Sequence, residues 1–380
     1  MPPRKPSSPV EIERVVLYWA EVPLVRPFTT SFGTEEVRST ILVKLVDAEG
    51  TEGWGEVPVE YGPWYCYETI ETALHVLKDF VAPKLPGAEF ASVEDYLELV
   101  KRVRGHRVAK GGVEMALWDL FAKREGVPLA EMLGGVRDRI VSGVSIGIQR
   151  DVDTLVRVIQ EKLEEGYCRI KIKIKPGWDV GVVERLRREF PDVPLQVDAN
   201  AAYTLSDVGV FKKLDEFDLL MVEQPLGYDD LADHAELQRR IRTPICLDES
   251  IKDLGCAKVA CALGSCKIIN IKPPRVGGHL ESIRIHDFWK DRGMGLWIGG
   301  MLETGVGRGH LVAAATLPGI NYPSDISASS RWYEEDIVEP PWEIRKDGTM
   351  EVPRKPGIGV EVVEDRVEKH LRKKIEFGAA

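Results

Sequence analysis

The chain has 380 residues, 44% of them hydrophobic and 29% charged, which fits a soluble globular protein too long for one ordinary core. A net charge of -10 argues against a general nucleic-acid or anionic-membrane binder, and no run approaches the ~20 apolar residues of a membrane span. The N-terminus MPPRKPSSPVEIER has no apolar stretch of the secretory kind, and six sparse cysteines imply a reducing, cytoplasmic setting. Cys256, Cys261 and Cys266 recur every five residues, which matches no zinc spacing, so small buried thiols are expected there.

In chain order, IERVVLYWAEV, TILVKLVDAEG and EGWGEVPV read as strands, with DAEG as the turn of a hairpin. Residues 67–135 become helical. AKGGVEMALWDLFAKREG sets Val113, Ala116, Leu117, Leu120 and Phe121 at helical spacing, and Gly126 is its stop. From about 140, short apolar runs alternate with amphipathic stretches such as DVDTLVRVIQEKLEEG and LADHAELQRRIR. This rhythm predicts consecutive βαβ units and a closed (β/α) barrel, with seven visible strands and an eighth near 324–328. The expected organisation is α/β: an α+β capping domain over 1–135, a barrel over 136–330, and a segment over 331–380 that returns to the capping domain.

Strand ends of such a barrel face the active site. In this chain they carry Lys171 and Lys173, then Asp198, Glu223, Asp248 and Lys272, with intervals from Lys173 onward of 25, 25, 25 and 24 residues. One βα unit separates each position from the next, so all are expected on one rim. A single acid at a strand end is more often a helix cap. Three in register point instead to a hard divalent cation, Mg²⁺, with Mn²⁺ or another divalent ion able to substitute. Asn200 and Glu249 lie just beyond the ligands and read as supporting groups. Lys173 and Lys272 flank the acids from opposite sides, where one could take a proton from a carbon beside a carboxylate and the cation stabilise the resulting charge.

A lysine base must act in its neutral form. The RIKIKIK alternation puts Lys171 on the same face as Lys173, about 7 Å away, and such a neighbour destabilises the charged form by roughly 2 kcal/mol. Lys171 is therefore expected to make Lys173 a usable base. Lys175, just before PGWD, is expected to leave the strand into solvent.

At these residues the sequence resembles the enolase superfamily, in the muconate-lactonising-enzyme subgroup, and more narrowly its N-succinylamino acid racemase/o-succinylbenzoate synthase family. The stretches PFTTSFGT, GWGE, GHRVAKGGVEMALWDL, GYCRIKIKIKPGWD, LQVDANAAYTL, RRIRTPICLDESI, NIKPPRVGG and GGMLETGVGRG carry the likeness along nearly the whole chain. The resemblance implies a modified TIM barrel, with Asp198, Glu223 and Asp248 holding the metal, Lys173 and Lys272 as the acid/base pair, and Lys171 as the modulating lysine. It puts Ser145, Gly300, Met301, Leu302, Phe28, Tyr65 and Trp332 in the substrate pocket. Arg275 matches an arginine associated with racemising members. Glu60 stands where relatives often carry an apolar residue. The implied partner is a small-molecule carboxylate, and the implied assembly a homo-oligomer from dimer upward.

Racemisation and dehydration share their first half, and sequence does not separate them. Cycloisomerisation and dipeptide epimerisation are alternatives within the subgroup, although no Asp-x-Asp follows the last strands to hold a dipeptide's ammonium. A Schiff-base lysine on Lys272 would leave the acids without a task. A non-catalytic barrel would have no use for such costly buried charges.

Overall fold

Largely apolar, buried runs build the first sheet in the computed structural model, which describes residues 2–378. Strands β1 (Val10–Thr29), β2 (Thr34–Asp47) and β3 (Glu52–Val57) pair antiparallel in that order. The turn between β2 and β3 falls at the expected DAEG segment. Helix α1 (Arg107–Arg124) lies across this sheet and is buried on nearly every face, as its all-round small and apolar composition requires. Gly55 of β3 packs directly on Gly112 of α1: a Cβ there would stand 2.0 Å from the Gly112 carbonyl oxygen. The GWGE and AKGG stretches are thus two halves of one backbone contact. Gly126, just past α1, has a positive φ of 66° and ends the helix as expected.

Seven parallel strands form the second sheet: β4 (Val144–Ile146), β5 (Ile170–Lys173), β6 (Leu195–Asp198), β7 (Val222–Glu223), β8 (Ile245–Leu247), β9 (Ile268–Ile271) and β10 (Gly295–Ile298), each beside the next. Helices join them. α2 (Val152–Glu165), for example, starts at the Asp151 side chain, which accepts from the Thr154 N–H, and stops at Gly166 in the left-handed region. The expected eighth strand near 324–328 is a single bridge instead. Ser324 pairs with Ser142, and the Asp325 N–H donates 2.9 Å to the Ile298 carbonyl, so this segment spans the gap between β4 and β10. Its polar groups are used by side chains rather than by a ladder: Arg169 donates to the Pro323 carbonyl at 2.8 Å and to Asp325 at 2.6 Å.

Helix α3 (Gly305–Ala315) follows β10, and the chain returns through β11 (Leu371–Gly378), which pairs antiparallel with β1 over Arg14–Ala20. The same returning segment also touches the barrel, where Thr349–Glu351 pairs with Arg139–Val141. No helix among the described residues is long and apolar enough to cross a membrane. All six cysteines are free, but only Cys246 and Cys266 are buried. Cys256 and Cys261 are half-buried, a correction to the expected buried trio, because a step of five residues turns them off the apolar face of their helix.

Candidate active site

Strand register brings the predicted residues together. Lys173 stands beside Asp198, Asp198 beside Glu223, and Glu223 beside Cys246, two residues before Asp248. Lys272 follows β9 immediately, across the sheet from β5. All of these side chains are buried, Glu223 and Asp248 completely. Lys175 is exposed, as expected.

Charges on this floor are paired. Lys173 Nζ donates to Asp198 at 2.7 Å and to Asn200 Oδ1 at 2.6 Å. Lys272 Nζ donates to Asp248 at 2.8 Å and to the Tyr65 hydroxyl at 3.1 Å. Tyr65 in turn donates to Asp248 at 3.0 Å, and Arg275 pairs with Asp248 from the other side. Arg275 is therefore a buried partner of the acid trio and not a surface arginine. Asn200 also donates to Glu249 at 2.9 Å, which ties the two supporting residues to each other.

Lys171 differs from expectation. Its ammonium sits 2.9 Å from Glu223, 3.2 Å from Asp198 and 2.5 Å from Asp325. Burial disfavours its charged form, but the three carboxylates outweigh burial and hold its pKa above the usual lysine range. The expected repulsion of Lys173 by a bare neighbouring charge is thus largely cancelled at its source. Lys272 is held up in the same way: burial is outweighed by Tyr65, Glu223 and Glu249. Asp198 is held low despite burial because Lys173 and Lys171 face it, and Asp325 is lowered to about 2 despite burial because Arg169 and Lys171 do. Glu249 is pushed up to about 7 by burial and by the nearby Asp198.

A cavity of about 420 Å³ opens above this floor, between the barrel and the capping sheet. Ser145, Gly300, Met301, Leu302, Phe28, Tyr65 and Trp332, all expected in the pocket, line it, as do Lys171, Lys173, Lys272 and Asn200. Asp198, Glu223, Asp248, Glu249 and Arg275 do not reach its lining.

Among the described residues no three acidic, thiol or imidazole groups stand close enough to form a ready cation cage. The sequence led us to expect the acids gathered on one point, whereas each is turned to an amine. The donor set nevertheless fits a hard divalent ion: three buried carboxylates from neighbouring strands, with no thiol or imidazole bonded to them. Beside Asp248, Glu249 Oε2 is buried with no hydrogen-bond partner, an acceptor that lacks a positive group.

Sequence reading missed Asp325, Gln196, Asn270 and Glu56. Gln196 Nε2 and Asn270 Nδ2 both donate to Glu223, at 3.0 and 2.7 Å. Each lies two positions before a strand-end residue, the same-face spacing that singled out Lys171, so the alternation rule could have found them. Glu56, in GWGE, accepts from the Thr40 hydroxyl at 3.0 Å, the Thr304 N–H at 3.0 Å and hydroxyl at 2.7 Å, and the Gly307 N–H at 2.8 Å. It anchors the Gly300–Glu303 loop of the cavity to the capping sheet.

Both parts of the chain match family models, residues 13–134 to the mandelate racemase/muconate lactonizing enzyme N-terminal domain and residues 154–366 to the enolase C-terminal domain-like family. The chain belongs to the mandelate racemase/muconate lactonizing enzyme group of the enolase superfamily, whose enzymes use a divalent metal. Among its relatives, an o-succinylbenzoate synthase of Geobacillus kaustophilus is 50% identical over 363 residues, 96% of each chain. An N-succinylamino acid racemase of Thermus thermophilus is 48% identical over 351 residues, covering 92% of this chain and 95% of the relative. A solved enolase-superfamily structure from Listeria innocua superposes with a TM-score of 0.93 at 39% identity, over 97% of this chain and 99% of the other.

Proposed function

We propose that this enzyme removes the α-proton of a small carboxylate substrate, acting as an N-succinyl (N-acyl) amino acid racemase, as an o-succinylbenzoate synthase, or as both. The observation that carries the reading is that Lys173 and Lys272 line one cavity from opposite sides of the barrel, above buried acids. Asp198, Glu223 and Asp248 would hold the divalent ion, which we take as Mg²⁺, with Mn²⁺ able to substitute. When bound, that ion supplies positive charge next to the substrate carboxylate.

In racemisation, Lys173 or Lys272 takes the α-proton and the other returns one to the opposite face, so both are acids and bases. In dehydration, Lys173 takes the proton and hands one to the departing hydroxide, while Lys272 contributes charge. Asn200 orients Lys173, and Tyr65 and Arg275 orient Asp248 and Lys272, through the bonds described above. Lys171, held by three carboxylates, positions Asp198 and Glu223. Ser145, Phe28, Gly300, Met301, Leu302 and Trp332 shape the space around the substrate. We also take the chain to divide near 135 and 330, to act in the cytoplasm, where free thiols are stable, and to form a homo-oligomer of two or more copies.

The deciding experiment assays N-succinyl amino acids and the cyclohexadiene precursor of o-succinylbenzoate side by side with Mg²⁺ in D₂O. Deuterium should enter the α-position, and EDTA should stop it. Turnover that survives EDTA, with substrate trapped on the protein by borohydride, would replace this reading with Schiff-base chemistry.

A further inference from the structure

The cavity has two electrically different ends. Its floor presents the ammonium groups of Lys171, Lys173 and Lys272. Its capping wall presents Glu35, Glu36 and Glu60, with Arg38 as the cation among them. Arg38 is only partly engaged: Nη1 donates to the two Glu35 oxygens at 3.0 and 3.3 Å, while Nε and Nη2 of this almost wholly buried side chain have no partner. Glu36 is exposed and makes no ion pair among the described residues. Glu60 has one carboxylate oxygen sealed from solvent with no hydrogen-bond partner.

An unpaired carboxylate at the edge of a ligand cavity is costly to keep. Burial and the neighbouring Glu35 push the Glu60 carboxyl up to about 7, against the pull of Arg38, as expected of an acid short of positive charge. Tyr61 and Trp64 line the same wall yet are 75% and 62% exposed, which is unusual for side chains of their size. Carboxylates next to open aromatic faces are the surroundings that a cation seeks.

The opposite floor fixes the substrate's direction, because the reacting carboxylate lies with the lysines. Of the two remaining arms of an N-succinyl amino acid, the succinyl arm carries a negative charge, and this wall sets three carboxylates against one guanidinium. The side chain is left to face it. We infer that the capping wall selects N-succinyl amino acids whose side chain ends in a positive charge, lysine- or arginine-like, held by Glu60 and Glu36 beside Tyr61 and Trp64. This selection rests on the racemase reading above, and it makes Glu60 and Glu36 specificity-determining residues rather than catalytic ones.

N-succinyl-L-lysine and N-succinyl-L-norleucine differ chiefly by the terminal charge and suit the test. With the Mg²⁺-loaded protein at low salt, the lysine compound should bind and turn over with a preference of roughly tenfold, expressed in KM and not in kcat. Glu60→Gln should shrink that preference, Glu36→Gln/Glu60→Gln should erase it, and added salt should weaken it in the parent. Equal use of both compounds, or a preference that the double variant keeps, overturns the selection and leaves the racemase reading standing. Calorimetric binding that favours the lysine compound without turnover keeps the selection and overturns the reaction. Binding of neither compound overturns both.

Discussion

The floor of the cavity and its capping wall hold the same kinds of charge in opposite condition. On the floor, Lys171, Lys173 and Lys272 each meet a carboxylate, and Asp198, Glu223 and Asp248 each meet an amine. On the wall, Arg38 keeps two nitrogens and Glu60 one oxygen without partners. Both sets line or underlie one space, so burial alone does not explain the difference. The floor charges stand on adjacent strands whose register sets their spacing. The wall charges stand at the start of β2, beside its turn from β1, and on the loop after β3, so neighbouring parallel strands do not set their spacing. The floor groups are fixed by adjacent strands, whereas Glu60 of the wall stands on a loop.

The largest effect expected from this contrast is on the floor. Lys173→Ala and Lys272→Ala should each lower racemisation by roughly 10²- to 10⁴-fold, measured as α-proton exchange. A Lys272→Ala protein that racemises at the parental rate would end the two-base scheme. Next is Asp325, which joins two floor cations. Asp325→Ala strips a counter-charge from both Lys171 and Arg169 and should cost about 3–5 kcal/mol in denaturant unfolding. A loss below about 1 kcal/mol would mean that Glu223 and Asp198 alone satisfy Lys171.

Glu114 sharpens the comparison from a third position, because it is a fully buried acid held only by neutral donors. It accepts from the His279 and Leu280 N–H groups at 2.8 and 2.9 Å and from the Trp118 indole at 2.9 Å. Burial raises its pKa to about 7, above that of an unfolded glutamate. The folded state then holds this proton where the unfolded chain has lost it, so the contribution to stability is full near pH 4 and lost as pH rises through 7. Relative to Glu114→Gln, the parent should lose roughly 3 kcal/mol between about pH 4.5 and 7.5. Parallel pH–stability curves for the two proteins would assign Glu114 an ordinary carboxylate pKa. The smallest effect belongs to Glu56, which acts through the Gly300–Glu303 loop: Glu56→Gln should reduce kcat/KM by roughly fivefold, mostly through KM. An unchanged KM would show that the loop keeps its place without it.

The floor was legible in sequence because barrel chemistry repeats with the βα unit. The step of 25 residues from Lys173 to Asp198, Glu223 and Asp248 is one strand, one helix and their loops, so each step returns the chain to the same rim. Asp325 escaped because it sits on a segment reduced to one bridge, with no apolar run to mark it. The pairing of Lys171 escaped for a related reason: same-strand alternation revealed its like-charged neighbour, but the acids that neutralise it come from three other segments. Glu56 was hidden inside a motif whose glycines are explained by packing against α1. The open wall could be read only as a departure at Glu60, since its acids stand at one strand start and on a loop, outside the βα repeat.

The pairing of β11 with β1 joins Arg14 to Glu376, 362 positions apart, within the sheet that roofs the cavity. During synthesis from the N-terminus, the barrel's strands are all available before that outer edge can be filled. The outer edge of the roof is therefore filled only after every barrel strand has been synthesised. Discrimination between substrates should thus mature later than the capacity for proton transfer.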